Sequence, residues 1–524
     1  METALNITFI LVTTVILTAI SMKMLHIFQL SSYRIRGVVN WLKVSHYDYL
    51  LRYIAYAFFS GGITLLFNFA FPQENVHYFS FLFFVLFGCV FCILGFTRKA
   101  KVPLVVTSRM RRLILVNAVV CSGLAVGAWA LSLTPVKEAS YSLITALVPL
   151  ACLISYGITY PVEKLIAKSF IKDATEEIDK LKEQGLKVVG ITGSYGKTTA
   201  KNVLFAMLST KYRVCATPAS YNTPLGICRT VNDTLEEGDE IFIAEMGARR
   251  RGDIKELCEV AKPDAGIITG VGNQHFETFG SLEAIADTKY ELVEALKDGY
   301  AVFNCADEGA KKLSKRKYSN KVTAGAEGND VVFSDVSVGP FGSKFKLTCG
   351  NETVNVKTKL LGSHIPALIA TCAGLALKMD VPLCACAKSC EKLAPIPHRL
   401  ELLKSGDMTI IDDAYNSNTA GAKNALETLA SFDGKKIIVT PGIVELGSLE
   451  SSANEEFGRQ IAEVCDLAIF VGSRAKHLTA GAIKGGMTVD RIVCVNSLKE
   501  AQNYLAGVSE KATVLFENDL PDNY

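Results

Sequence analysis

Hydrophobic positions are distributed unevenly along the chain. Five apolar stretches, roughly residues 5–28, 49–71, 78–96, 113–134 and 139–160, carry almost no internal charge. A helix needs about 20 apolar residues to cross the hydrocarbon core of a bilayer, so each stretch reads as a membrane-spanning helix. Over 163–184 the pattern becomes amphipathic and charge-mixed (EKLIAKSFIKDATEEIDKLKEQ). That predicts a spacer helix able to lie along a membrane surface. From residue 186 short apolar runs alternate with helical stretches, beginning with LKVVGIT, IFIA, AGIITGV and VFN. After 403 the runs MTIID, KIIVT, LAIFVG, RIVCV and TVLFE repeat the alternation. Strands alternating with helices predict parallel α/β sheets. The expected organisation is a transmembrane bundle (1–162), a spacer (163–185), a central α/β domain (186–402) and a Rossmann-like C-terminal domain (403–524).

Charge orders the front block. The first connection carries Arg34, Arg36 and Lys43, with Arg52 at its edge, and the second, FPQENVH, has no lysine or arginine. The third, TRKAKVPLVVTSRMRR, is strongly basic, the fourth has Lys137 alone, and the chain after the fifth stretch is lysine-rich. Basic connections face the cytoplasm, so the N-terminus is expected outside and everything after about 161 inside. The basic loops read first as topology. A second reading has Arg98, Lys99, Arg109, Arg111 and Arg112 attract anionic headgroups or a diphosphate. Glu2 is acidic and no basic residue precedes the first apolar run, unlike a cleaved signal peptide.

The 524 residues suffice for three or four domains. Mean hydropathy is +0.27 and formal net charge +3, which makes no case for nucleic acid. The 15 cysteines are scattered and several lie in apolar runs, so reduced, buried thiols are expected. CACAKSC (384–390) lacks the second half of a zinc site and is read the same way.

LKVVGITGSYGKTTAKNVLFAML places a glycine turn between an apolar strand and a helix. Backbone N–H groups at such a helix start point at phosphates. Gly193 and Gly196 let the backbone approach, with Ser194 and Thr199 in the same loop. Lys197 would reach the β/γ-phosphates, and the Thr198 hydroxyl would hold Mg²⁺. Ile191 stands where a standard Walker loop has glycine, so the loop is a variant.

TGSYGKTT resembles the ATP loop of the Mur ligases, which build the peptide of bacterial peptidoglycan. SYNTPLG (220–226), IFIAEMGARRRGDI (241–254), GVGNQHFETFGSLEAIADTKYELVEAL (270–296), HRLEL (398–402) and TIIDDAYNSN (409–418) follow in the family's order. The likeness covers about 186–520 and is strongest to the branch that adds D-alanyl-D-alanine. The resemblance implies that Glu245 and His275 bind Mg²⁺, and that Lys289, carbamylated by CO₂, coordinates a second one. It further implies adenine-side contacts from Asn304 and Asp307, an ATP contact from Arg399, a ribose contact from Asp413, and Tyr415, Asn416 and Asn418 lining the same loop. Lys197, His275 and Lys289 would then be the catalytic set.

The implied chemistry is ATP-dependent amide formation through an acyl phosphate, joining an acceptor carboxylate to an amino-acid or dipeptide amine at the inner face of the bacterial cytoplasmic membrane. Alternatives are a polyglutamate-type synthetase, an ATP-driven transporter and a non-catalytic scaffold. The family's uridine-nucleotide domain is missing ahead of residue 186, so a lipid-linked acceptor is the simplest expectation. GSHIPAL (362–368), TPGIVELG (440–447) and the acidic end TVLFENDLPDNY depart from the family pattern, so the amine is expected to differ from D-alanyl-D-alanine or to bind differently.

Overall fold

A computed structural model describes residues 2–44, 48–70, 76–97, 103–131, 144–219, 221–405, 408–415, 418–508 and 511–518. The chain forms two compact units that meet in sequence at Lys168 and Ser169.

The first unit is helical. Helices Glu2–Leu30, Asp48–Ala70, Val76–Thr97, Ser108–Leu131 and Val148–Glu183 fall on the five apolar stretches, and a short one, Ile35–Val44, is added. Among the described residues three helices, Asn6–Leu30, Ser108–Leu131 and Val148–Glu183, are long and apolar enough to cross a membrane by length and composition, so five spans are not established. Residues 132–143, which include the start of the expected fifth span, lie outside the described residues. Large apolar side chains such as Leu11, Val15, Phe58 and Val119 are exposed, whereas Thr13, Ser21, Asn117 and Ser155 are fully buried. Asn117 Nδ2 donates to Ser21 Oγ at 2.6 Å, and Ser155 Oγ donates to Asn117 Oδ1 at 3.3 Å. The interior is an apolar core of residues such as Leu17, Met24, Phe28 and Phe84 that also holds this polar network, while further large apolar side chains cover the outside, unlike the surface of a water-soluble bundle.

Arg112 grips Glu163 with both Nε (2.6 Å) and Nη2 (3.1 Å), and Arg109 lies over Tyr33 with its Nε 3.6 Å from the same carboxylate. These two guanidiniums hold partners inside the unit, and Arg98 and Lys99 lie outside the described residues. The spacer is not a separate helix. Val148–Glu183 is one 36-residue helix with Pro161 inside it, which removes one backbone hydrogen bond without ending the helix. Its Ala174, Ile178 and Leu181 are spaced to share a face and are buried with Leu186, Val188 and Leu257. One face of the last turns therefore belongs to the core of the second unit.

The second unit holds two sheets. β1 (Lys187–Thr192), β2 (Val214–Ala216), β3 (Ile241–Met246), β4 (Ala265–Ile268), β5 (Ala301–Asn304) and β6 (Lys321–Gly325) are parallel. β7 (Val331–Gly339), β8 (Gly342–Cys349) and β9 (Glu352–Thr358) extend this sheet, giving the order β2-β3-β1-β4-β5-β6-β7-β8-β9. β1 is buried along nearly its whole length, as strands covered on both faces must be, and its carboxyl end carries the glycine loop. Helix Ile365–Lys378 is buried from Ile365 to Ala376 and packs into this core.

The second sheet comprises β10 (Glu401–Ser405), β11 (Met408–Asp413), β12 (Lys435–Thr440), β13 (Leu467–Val471), β14 (Ile492–Val495) and β15 (Ala512–Glu517). Its order is β10-β11-β15-β12-β13-β14, with only β10–β11 antiparallel. All five strands expected after 403 are present. β10 pairs with β11, so residues from 401 belong to this sheet.

Helices Glu450–Val464 and Ala475–Lys484 touch backbone to backbone. A Cβ on Gly481 would fall 1.8 Å from the Glu455 carbonyl oxygen, and one on Gly458 would fall 2.1 Å from that of Leu478. Gly481→Ala is therefore expected to destabilise this lobe by about 1–3 kcal/mol, read as a lower urea midpoint and faster amide exchange across 450–484. An unchanged midpoint would show that the helices can separate without cost.

Candidate active site

The glycine loop is built by close packing. A Cβ on Gly193 would meet Thr269 Oγ1 at 2.0 Å, and Gly196 turns the chain at φ 77° into helix Lys197–Leu208. Only glycine tolerates either position. Ser194 donates through N–H to Gly270 O (2.8 Å) and through Oγ to Gly272 O (3.1 Å), and accepts at Oγ from Gly272 N (3.0 Å). The loop is thus fastened to the end of β4. Lys197 Nζ folds back to donate to Gly193 O at 2.8 Å. Thr199 is buried on the same helix.

Lys197 is the electrostatic centre of the site. Burial pulls its ammonium down to about 8, opposed by the Glu245 carboxylate and assisted by Arg399. Lys289, 2% exposed, is pulled down to about 7 by burial and then by Lys197, against Asp253 and Glu291. His275 is also lowered, by burial first, with Lys197 among the neighbours. Glu245, His275, Lys289 and Arg399 therefore all lie within electrostatic reach of one buried cation, three chain segments converging beside the glycine loop.

Glu245 ends β3 as a buried carboxylate. Its N–H donates to Thr217 Oγ1 (3.1 Å), and its Oε1 accepts from Asn222 Nδ2 (3.2 Å). Oε2 lies 3.0 Å from Lys201 Nζ yet has no partner with hydrogen-bond geometry. His275 precedes the short helix Phe276–Phe279 with φ 58°, and its Nδ1 lies 2.5 Å from Glu445 Oε2. Burial raises Glu445, but the hydrogen bond and charge of His275, with Arg249, hold it below the usual carboxylate range. The contact places an Nδ1–H of His275 as donor to Glu445 Oε2.

The nucleotide-side residues divide. Arg399 stacks over Tyr415 (4.4 Å to the ring centroid) and donates from Nη2 to Thr198 Oγ1 at 3.4 Å, so both join the glycine loop. Asp413 accepts from Leu400 N (3.2 Å), and burial pushes its carboxyl up to about 6 against Arg399. Asn304 donates to Thr269 O (2.8 Å). Asp307 caps helix Glu308–Ser314 through Ala310 N (2.7 Å), accepts from Val271 N (2.9 Å) and bonds Tyr195 OH. Asn304 and Asp307 are thus braces for the loops around the site. Asn418 caps helix Thr419–Ala430, and Asn416 lies outside the described residues.

Two residues at the site were not read from the sequence. Lys201, 4% exposed at its side chain, lies one turn after Lys197 on the same helical face, and that spacing was the available signal. Glu445 comes from TPGIVELG, 170 positions beyond His275, and no local pattern announces the pairing. A cavity of about 650 Å³ opens here, lined by Thr198, Lys201, Thr217, Arg399 and Tyr415, with Phe205 among its apolar walls. Of the cysteines in CACAKSC, Cys386 and Cys390 are buried with thiols pushed up to about 12 by burial, as expected, whereas Cys384 is exposed. Glu517, from the acidic end, is buried and accepts from Thr440 Oγ1 at 2.7 Å.

Two α/β lobes sharing a glycine loop, a buried lysine and a cross-lobe arginine define a nucleotide-using enzyme. Residues 191–374 match the Mur ligase middle domain, and residues 398–517 match the Mur ligase, glutamate ligase domain. The UDP-N-acetylmuramoyl-tripeptide–D-alanyl-D-alanine ligase of Bacillus subtilis is 34% identical over 341 residues, 64% of this chain and 72% of that protein. The Escherichia coli enzyme of that name is 26% identical, over 60% and 70%. The MurF ligase of Thermotoga maritima, solved with ADP, superposes with a TM-score of 0.59 at 28% identity, over 67% of this chain and 80% of that one. MurF of Acinetobacter baumannii gives 0.61 at 23%, over 68% and 78%, a likeness of fold. The chain belongs to the Mur ligase family, ATP-dependent ligases that form amide bonds and use Mg²⁺, which sets the transporter and scaffold readings aside.

Asp307→Ala removes a helix cap and the Tyr195 brace together. It is expected to cost about 1 kcal/mol or more of stability and to raise KM for ATP severalfold with a smaller change in kcat. A KM equal to wild type would show that the brace does not shape the loop.

Proposed function

We propose that this protein is a membrane-embedded Mur-type ligase that joins the carboxylate of a lipid-linked, peptidoglycan-type acceptor to an amino-acid or dipeptide amine on the cytoplasmic side. The observation that carries this reading is the chain's order. A helical unit with an apolar outer surface ends in helix Val148–Glu183, and β1 begins at Lys187, leaving no chain for a separate acceptor-nucleotide domain between them. The bundle's exposed apolar faces suit lipid, and its buried Asn117–Ser21–Ser155 network suits helix packing in a membrane.

The residues fit a divalent ion. Glu245 Oε2 is buried without a hydrogen-bonding donor, His275 uses Nδ1 elsewhere and keeps Nε2, and Lys289 is poised to lose its proton near neutrality. Thr198, Glu245, His275 and a carbamylated Lys289 would hold Mg²⁺, an oxygen-seeking ion. When bound, the ion supplies charge neutralisation around the transferring phosphoryl group.

In this reading the acceptor carboxylate oxygen forms a bond to the γ-phosphorus and ADP leaves. The amine nitrogen then bonds the acyl carbon, and phosphate and a proton depart. Lys197 and Arg399, from opposite lobes, hold the phosphates in line and offset the developing charge. The cavity beside Thr198 and Lys201 admits the acceptor. Hinge residues 398–400 bring the second sheet, and with it the amine, to the acyl carbon. Glu517 and the departures near 362 and 440 accompany an amine other than D-alanyl-D-alanine, or one held differently.

Turnover by the purified full chain of a polyprenyl-diphosphate-linked acceptor, against its soluble UDP-linked counterpart, tests the reading. The lipid-linked substrate is expected to have the higher kcat/KM; equal or better use of the soluble one would contradict it. Lys289 adds a pH test. Below about 7 its ammonium predominates and cannot attack CO₂, so carbamate formation rises as pH passes through 7. In CO₂-stripped buffer the rate is expected to fall and to recover with bicarbonate, more completely at pH 8 than at pH 6.5. A rate indifferent to bicarbonate at both would remove the carbamate.

A further inference from the structure

The His275–Glu445 pair joins two lobes that are separate in sequence. His275 belongs to the segment matched by the middle-domain family model, and Glu445 to that matched by the C-terminal one. The carboxylate reaches Nδ1 at 2.5 Å, and its second oxygen lies 3.7 Å from Arg249 Nη2. The backbone joins in, with Glu277 N donating to Glu445 O at 3.3 Å. Gly447 lies beside Glu277, where a Cβ would make ordinary contact at 3.4 Å from its Cα. Both His275 (φ 58°) and Glu445 (φ 61°) hold left-handed backbone conformations, which cost a non-glycine residue of order 1 kcal/mol each and persist where the surroundings fix them.

We infer that Glu445, carried on the C-terminal lobe, orients the His275 imidazole and thereby couples completion of the divalent-ion site to closure of the two lobes. With Nδ1–H directed at a carboxylate, Nε2 keeps its lone pair and the ring cannot rotate. This is the arrangement by which an outer carboxylate fixes a ligating histidine. Withdrawing the C-terminal lobe would remove the carboxylate and free the ring. Glu445 is a positioning residue that acts through His275. The inference rests on the reading of His275 as an ion ligand.

The test uses the full chain, with Mn²⁺ titrated in the presence of ADP and followed by electron paramagnetic resonance, alongside amide exchange of residues 273–280. Glu445→Ala is expected to weaken Mn²⁺ binding about tenfold or more and to speed exchange in that segment even with nucleotide bound. Glu445→Gln, whose carbonyl oxygen accepts the same bond, is expected to recover part of both. The double variant His275→Ala/Glu445→Ala should bind Mn²⁺ no worse than His275→Ala alone, because both act on one interaction. Wild-type Mn²⁺ affinity in Glu445→Ala, or additive losses in the double variant, would overturn the coupling. If His275→Ala weakens the ion and Glu445→Ala does not, the coupling alone falls. If His275→Ala leaves the ion untouched, the ligand assignment falls and takes the coupling with it. Unchanged exchange in β12 separates these outcomes from misfolding.

Discussion

A buried ammonium governs this structure. Removing a cation from water costs several kcal/mol unless fixed dipoles or anions compensate. Lys197 has a carbonyl oxygen at 2.8 Å and one buried carboxylate, Glu245, to do so. Arg399 adds positive charge at the same place, Lys201 lies 3.0 Å from the Glu245 carboxylate, and burial first, then Lys197, pulls the Lys289 ammonium down to about 7. The phosphates of a nucleotide would add to the balancing charge of Glu245 and Asp413. The glycines, the β1–β4 fastening and the buried helix Ile365–Lys378 hold the backbone rigid enough for the imbalance to persist. A family that binds ATP has use for it.

The second lobe matters because it supplies part of that charge. Arg399 and Glu445 reach the first lobe from either side of β11 in sequence, one bonding Thr198 and the other His275. Closure therefore alters the site at two points at once, adding a cation near the phosphates and a carboxylate behind a histidine. Under the proposed route such closure would also keep water from a reactive intermediate.

Much of this was legible in the sequence because it is local. Strand, glycine turn and helix follow one another within 23 residues, and the five strands after 403 are short apolar runs bounded by turn residues. Glu245, His275 and Lys289 could be named from their segments. What could not be read depends on distance along the chain. The Glu445–His275 and Arg112–Glu163 pairs join residues 170 and 51 positions apart. That Asp307 and Asn418 cap helices was not read from the sequence, because a cap and a ligand contact use the same side-chain oxygen. Helical periodicity also gave no sign that Val148–Glu183 runs unbroken through Pro161, since tertiary burial of Ala174, Ile178 and Leu181 sustains it.

The central claim is that Glu245, His275 and a CO₂-modified Lys289 share ions beneath a triphosphate. Pulsed electron–nuclear double resonance on the Mn²⁺-loaded full chain with a non-hydrolysable ATP analogue, prepared in ¹³C-bicarbonate, addresses it directly. The account predicts a ¹³C coupling that Lys289→Gln abolishes and a ¹⁴N coupling that His275→Ala abolishes, both on nucleotide-bound Mn²⁺. A spectrum with phosphorus couplings alone, unchanged by either substitution, would contradict it.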